Sequence, residues 1–178
     1  MIAYLSGDQL WIQDLDRTEP RAIAGTEGAH SPAWSPNSEF VAYVIYPGSG
    51  TVWKVSAKGG TPVRICDMPP GANAPTGRDI TWSEDGTILI SRGYPKLSGA
   101  GIYTVPAQGG TPRPFMLPDS TRNEWGVTTP YFLPGGKAML LNVKTRGEAP
   151  QRYAGSVQYA ILRNIRVASS ALAVRSDD

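Results

Sequence analysis

A segment with one aromatic residue, one turn and one apolar run occurs three times in this chain. The turns are rich in Pro, Ser, Asn, Asp and Gly, and β-prone residues follow them, as in a β-hairpin. The aromatic residues are Trp34, Trp82 and Phe132, so successive copies lie 48 and 50 residues apart. Such a period predicts a repeat protein whose units share one structure.

A second landmark repeats with the same period. Gly-Gly-Thr-Pro occurs at 59–62 and again at 109–112, which is 50 residues later. The glycine pair supplies positive φ for a tight turn, and the proline suits the start of an edge strand. Periods of roughly 40 to 50 residues are typical of β-propeller blades. Because the chain has 20 Gly, 16 Pro and only 18% charged residues, we predict an all-β protein with four-stranded antiparallel blades.

The repeat divides the chain into about three to four blades, with predicted limits at 1–24, 25–66, 67–115 and 116–145. Residues 146–178 lose the pattern. A third strand of the fourth unit could lie at 157–162, and a variant blade, a short helix from about Tyr159 and a disordered end stay open. We expect an open partial propeller with an irregular tail and exposed blade faces that promote self-association. The alternative is a compact four-bladed ring in which the tail supplies the missing strand.

Charge and composition exclude several classes of function. The net charge is +2, and the Lys and Arg residues are scattered, which gives no support for nucleic-acid binding. The single cysteine, Cys66, has no partner for an internal disulfide. No apolar run is long enough to span a bilayer, and the sequence shows no signal-peptide pattern.

Residues 29–43 resemble the repeat of TolB-like (WD-repeat-like) β-propellers, in which a Pro and an aromatic residue precede Ser-Pro-Asp-Gly and an apolar strand. Asn37 and Ser38 stand where that pattern has Asp and Gly. A closer likeness is to the C-terminal propeller of bacterial membrane-linked serine/threonine kinases, and it is carried by residues 10–16, 65–67, 82–88, 102–110 and 132–137. This resemblance covers about residues 2 to 145 and implies a propeller of a larger signalling protein on the extracytoplasmic side of a membrane.

The repeated aromatic residues allow two interpretations. Trp34, Trp82 and Phe132 could surround the channel and stack on a sugar or peptide, or they could fill the gap between neighbouring blades. An aromatic residue at the same place in every blade favours packing. Further structural repeat positions are Trp11, Trp53 and Tyr103.

No complete catalytic or metal-binding set is found in the sequence. His30 is the only histidine, and no Gly-x-Ser-x-Gly motif is present, so a solvent-facing or loop-bonded histidine is expected. The aspartates at turns fit capping roles, and no Lys-Ser or Lys-Thr follows the glycine pairs. We therefore expect no cofactor and no metal. Residues that could belong to a binding face are His30, Arg78, Glu124 and Trp125.

The sequence thus predicts a non-catalytic sensing or interaction module rather than an enzyme. Its partner would be a protein, a peptide or a small ligand bound at the propeller face. Three alternatives are kept: the gating propeller of a prolyl-oligopeptidase-like peptidase, a propeller lyase, and a truncated product without a function of its own.

Overall fold

The computed structural model describes residues 1–46, 50–68, 80–92, 100–133, 138–146 and 153–162. Within these ranges the chain is almost entirely β-strand, with one 3-10 helix at Ser120–Arg122. The strands are β1 (Ile2–Ser6), β2 (Gln9–Gln13), β3 (Arg21–Ala22), β4 (Ala29–Trp34), β5 (Phe40–Ile45), β6 (Thr51–Ser56), β7 (Val63–Asp67), β8 (Ile80–Trp82), β9 (Thr87–Arg92), β10 (Gly101–Pro106), β11 (Arg113–Met116), β12 (Glu124–Phe132), β13 (Ala138–Arg146) and β14 (Tyr153–Leu162).

The described strands form four antiparallel sheets in chain order. The first sheet is β1-β2-β3, the second β4-β5-β6-β7, the third β8-β9-β10-β11 and the fourth β12-β13-β14. Each strand pairs with its neighbours in sequence, so every sheet is a meander of hairpins. This arrangement confirms the predicted all-β class and the four-stranded antiparallel blade. Contacts join β1 with β4, β4 with β8 and β8 with β12, and within the described ranges no ladder pairs the first sheet with the fourth. The sheets form an open arc.

The turns between the first two strands of the second and third sheets follow from their residue types. The Ser35 N–H donates to the Phe40 carbonyl at 2.8 Å, and the Ser83 N–H donates to the Thr87 carbonyl at 2.8 Å. Both turns need one residue with positive φ. The third sheet has Gly86 there with φ 81°, whereas the second has Ser38 with φ 59°. Ser38 therefore adopts a backbone conformation that glycine adopts without strain.

The core consists of apolar clusters at the junctions between consecutive sheets. β5 supplies two of them, because successive residues of a strand face opposite sides. Val41 and Tyr43 belong to the cluster with the first sheet, whereas Ala42 and Val44 belong to the cluster with the third. All four are 0% exposed. The third junction is built from Leu89, Ile102, Val127, Met139, Leu141 and Val143.

The three repeated aromatic residues lie at matching places in this core. Trp34 packs against the junction of the first and second sheets, Trp82 against that of the second and third, and Phe132 against that of the third and fourth. Each ring is half-buried, less than the full burial expected for an inter-blade ring, because each residue is the last of its strand, next to a turn. Their placement supports the packing interpretation.

Polar contacts also connect consecutive sheets. The Arg21 guanidinium of the first sheet donates to the Ala57 carbonyl of the second. The Lys54 ammonium of the second sheet donates to the Ala107 carbonyl of the third at 2.8 Å. Ala57 and Ala107 begin the two Ala-x-Gly-Gly turns, so each of these turns is held by a cation of the preceding sheet. The Gly110 N–H adds a bond to the Ile65 carbonyl at 3.3 Å.

The fourth sheet contains the third strand that the sequence left open at 157–162, and this strand begins earlier than that range. β13 ends at Arg146, and β14 pairs with it from Arg146↔Tyr153 to Ala138↔Leu162. The boundary at 145 and the irregular tail from 146 therefore differ from the structure over 153–162, and Tyr159 lies in a strand rather than a helix. The sequence does not mark the limits of this strand, because no Gly-Gly-x-Pro turn follows it. Residues 147–152 and 163–178 lie outside the described part of the chain.

Candidate functional site

The inner strands of the second, third and fourth sheets begin at the same end of the arc, which we call the start face. His30 is the second residue of β4, and Glu124 and Trp125 are the first two residues of β12. Arg78 precedes β8 by two positions and lies outside the described residues. The structure therefore places three of the four predicted binding-face residues at the start face, on two different sheets.

His30 is packed against an aromatic ring rather than facing solvent freely. Its ring centroid is 5.7 Å from that of Tyr46, with the planes tilted by 57°. Both residues are half-buried. Gly50, with φ 82°, fixes the place of Tyr46, because a Cβ there would lie 2.9 Å from Tyr46 Cε1 and 2.9 Å from Met68 Cγ. The Tyr46 ring thus lies between close neighbours, with Gly50 and His30 both near it.

A buried arginine lies at the junction of the second and third sheets. Arg92 is the last residue of β9 and is 6% exposed. It shares the strand face of Ile88 and Ile90, which pack towards the second sheet. Burial lowers the pKa of Arg92, while Tyr103 and Tyr46 act in the opposite direction. The guanidinium stays charged at neutral pH.

We call His30, Tyr46, Arg92 and Tyr103 the Arg92 cluster. Tyr103 pairs with Ile90 in the ladder of β9 and β10, so its side chain lies on the side of the sheet that Arg92 occupies. The second sheet supplies the imidazole and one phenol, and the third supplies the guanidinium and the other phenol. The sequence analysis named His30 as a binding-face residue and Tyr103 as a structural repeat position, and it singled out neither Tyr46 nor Arg92. A weak signal existed, because Tyr46 directly follows β5 and Arg92 is the last residue of β9, so both lie at the end of the second strand of their blade.

Glu124 and Trp125 have defined partners of their own. The Glu124 carboxylate accepts the Asp119 N–H at 2.9 Å, and the Glu124 N–H donates to the Asp119 carbonyl at 3.0 Å. The Asp119 carboxylate caps the 3-10 helix, and its hydrogen bonds from Thr121 lower its pKa. The Lys144 ammonium lies 5.6 Å from the Trp125 ring centroid, within cation–π range. Glu124 therefore shapes the loop that leads into β12.

Two inner strands carry the same irregularity. Ser31 and Thr129 have positive φ values of 51° and 55°, each precedes a proline, and each lies at a register shift of its strand pair. The bulge places the proline in a strand without removing a needed ladder hydrogen bond. The sequence signal is a hydroxyl residue before Pro, close to the repeated aromatic residue.

The remaining candidates of the sequence analysis stay apart. Among the described residues, no three His, Cys, Asp or Glu side chains are grouped as a metal site would need. Asp67 pairs with Arg64 on β7, and Asp14 lies 3.9 Å from Arg17. Cys66 is buried, and burial raises the pKa of its thiol to about 11. In the described part of the chain, no helix has the length and apolarity needed to cross a bilayer.

Comparison with known proteins identifies the fold. No family model matches the sequence. A TolB protein from Agrobacterium tumefaciens superimposes with a TM-score of 0.60 at 13% identity, over 87% of this chain and 53% of that one. An oligogalacturonate lyase in complex with manganese gives a TM-score of 0.62 at 13% identity, over 82% of this chain and 44% of that one. The β-propeller domain of the Trilobed protease from Pyrococcus furiosus gives a TM-score of 0.51 at 17% identity, over 86% of this chain and 49% of that one.

These similarities extend over about half of each solved protein, or less, and over most of this chain. At such identities they establish the fold and leave activity open. The four sheets of the open arc are the blades of a partial β-propeller, and the chain has the fold of the TolB-like β-propeller proteins.

Proposed function

We propose that this chain is a non-catalytic β-propeller module that binds a protein, a peptide or a small ligand at its start face. The observation that carries the proposal is the group of half-buried polar and aromatic side chains there, at the beginnings of inner strands. His30, Tyr46 and Trp125 are neither core residues nor freely solvated. Rigid sheets hold them, and such scaffolds commonly present binding residues at strand ends and loops.

The contacts of the candidate acid and base support a binding role over a catalytic one. A general acid or base must reach a substrate proton with its own polar atoms. The His30 ring packs against Tyr46, and the Glu124 carboxylate accepts a backbone N–H of its own loop. Neither group is paired with a nucleophile among the described residues.

We further propose that the module belongs to a larger bacterial signalling protein of the serine/threonine kinase type and acts on the extracytoplasmic side. The support is the likeness of residues 2 to 145 to propellers that follow such kinase domains. The lyase and the protease propeller among the solved neighbours share the fold at 13% and 17% identity. They give the peptidase-gating and lyase alternatives no support beyond the fold.

Selection of peptides from a display library against the purified chain tests the binding role. Calorimetry would then compare the wild type with His30→Ala and Trp125→Ala, after melting curves show that the variants are folded. The matched control is Glu84→Ala, because Glu84 is exposed in a turn at the opposite end of the third sheet. We expect at least about tenfold weaker binding for the start-face variants, equivalent to about 1.4 kcal/mol, and no change for the control.

Two results would contradict the proposal. One is equal binding by all variants, which would place the ligand elsewhere. The other is kinase, peptidase or lyase turnover by the purified chain that disappears in His30→Ala or Glu124→Ala.

A further inference from the structure

We propose that the two end sheets of the arc bind a second copy of this chain. The side of the first sheet that points away from the arc packs on the corresponding side of the fourth sheet in the other copy. The first end face consists of Ile2, Tyr4 and Trp11, and the last end face consists of Tyr131, Leu140 and Asn142. This contact is independent of the ligand proposed for the start face.

The first end face follows from the alternation of side chains along β1 and β2. Leu10 and Ile12 are 0% exposed and pack towards the second sheet. Trp11 lies between them and therefore points to the opposite side. Tyr4 is its cross-strand partner, and Ile2 shares the side of Tyr4. Ile2 is 50% exposed, and both aromatic residues are half-buried, so this side presents apolar surface to solvent.

The second and third sheets bury the same positions. Their cross-strand registers identify the counterparts, which are Tyr43 and Ile90 for Tyr4, and Val41 and Ile88 for Ile2. All four counterparts are 0% exposed, because the preceding sheet packs on them. The first end face is thus one half of a sheet junction, and among the described residues it has no preceding sheet.

The last end face is the other half of such a junction. Met139 and Leu141 of β13 pack towards the third sheet, so Leu140 between them points away from it. Asn142 lies two residues further along, on the side of Leu140, and both are half-buried. Tyr131 is the cross-strand partner of Leu140 and is 61% exposed. This side of the fourth sheet is therefore open to solvent as well.

The positions equivalent to Leu140 are also buried in the second and third sheets. They are Ala42 and Leu89, each one residue after the cross-strand partner of the repeated aromatic residue. Ala42 is 0% exposed and Leu89 is 1% exposed, because the following sheet packs on them. The two end faces are therefore complementary halves of one kind of junction, at opposite ends of the same chain.

This complementarity favours a second copy over an unrelated partner. Within the described ranges no ladder joins the first sheet to the fourth, whereas two copies can place one end face against the other. β1 and β2 contain no charged residue, so the first end face does not attract a strongly charged partner. Exposed apolar patches of this kind mark interaction sites. Because the contact joins two different faces, the copies close into a ring or continue as a chain.

The test measures self-association of the full chain by sedimentation equilibrium over a range of concentrations. Ile2→Glu places a charge in the first end face, and Leu140→Glu places one in the last. Val63→Glu is the matched control, because Val63 is 54% exposed on β7, the outer strand of the second sheet. Melting curves establish that each variant is folded. If Leu140→Glu does not fold, Tyr131→Glu replaces it, since that side chain is more exposed.

We expect the wild type and Val63→Glu to associate equally as the concentration rises. Ile2→Glu and Leu140→Glu should each weaken association at least about tenfold, because an unpaired charge is costly to bury. A mixture of these two variants should form dimers again, since each retains the end face that the other has lost. An interface between two identical faces would not show this recovery.

Several results would overturn the inference. A chain that stays monomeric at every concentration would show that another part of the chain covers the end faces or that a different protein does. Association that Val63→Glu weakens as much as the end-face variants, or that no variant weakens, would place the contact elsewhere. Normal association of the Leu140 and Tyr131 variants, with loss only in Ile2→Glu, would mean that two first end faces meet. A mixture that stays monomeric would equally contradict the proposed pairing.

Discussion

Tyr43 offers the sharpest test of how the blades pack. It lies on β5 in the cluster between the first and second sheets, and it is 0% exposed. Its hydroxyl is buried and has no hydrogen-bond partner in the described part of the chain. An unsatisfied buried hydroxyl costs about 1–3 kcal/mol. Tyr43→Phe keeps the ring and removes only that group, so we expect the free energy of unfolding to rise by about 1–2 kcal/mol.

Urea unfolding followed by tryptophan fluorescence measures this difference, and for a chain of this size it corresponds to roughly 2–8 °C in melting temperature. Tyr4→Phe is the matched control, because Tyr4 occupies the equivalent place on β1 and is half-buried. Its effect should stay within about 0.5 kcal/mol. A loss of 1 kcal/mol or more in Tyr43→Phe would refute the reasoning, since the hydroxyl would then have a partner such as a buried water.

The same group makes stability depend on alkaline pH. Burial, with a smaller contribution from Glu27, raises the pKa of Tyr43 to about 12. In the unfolded chain the phenol loses its proton near pH 10. The folded state therefore binds more protons than the unfolded state between these values, and stability falls as pH rises from 10 to 12, by up to about 2–3 kcal/mol. Tyr43→Phe should remove this part of the slope. If the wild type and Tyr43→Phe lose stability equally steeply between pH 10 and pH 12, this prediction is contradicted.

Three further predictions concern turns, aromatic packing and sheet junctions. Ser38→Gly should raise the free energy of unfolding by about 0.5 kcal/mol, and Gly86→Ala should lower it by about 1 kcal/mol, because both turns need positive φ. Urea unfolding of the two variants checks that their stability changes have opposite signs. Trp34→Ala and Trp82→Ala should each lower stability by about 3 kcal/mol, and unchanged melting with lost ligand binding would favour a channel role instead. Lys54→Met should reduce stability by about 1 kcal/mol through its lost bond to the third sheet, with the exposed Lys58→Met as a silent control.

Local chemistry explains why the blades could be predicted from the sequence. The turns at 35–39 and 83–86 require particular residue types at particular places, so the sequence marks them directly. The limits of the strands can then be predicted as well, because the apolar run after each turn must pair antiparallel with the strand before that turn. For β14 the same signals give only a possible strand at 157–162. It lacks the glycine turn that marks the end of β6 and β10, and its ten residues show no strict alternation of apolar and polar types.

The Arg92 cluster could not be found in this way. His30 and Arg92 are far apart in sequence and belong to different sheets, and they lie at one junction only because the second and third sheets pack together. No local pattern distinguishes an arginine that enters a junction from one that faces solvent, as the exposed Arg113 illustrates. Glu124 shows the opposite case: its position suggested a binding residue, and its carboxylate is bonded to the loop at Asp119.

The first and second sheets each contact the Ala-x-Gly-Gly turn of the next sheet, and this has a consequence for how the structure unfolds. In the described part of the chain each sheet packs on its immediate neighbours, so the molecule approximates a row of coupled units. Loss of order should then spread stepwise along the row, and backbone amides should exchange with deuterium most slowly in β5 and β9, which are flanked on both sides. A break at one junction, such as that of Lys54 and Ala107, would divide the row into halves that melt separately.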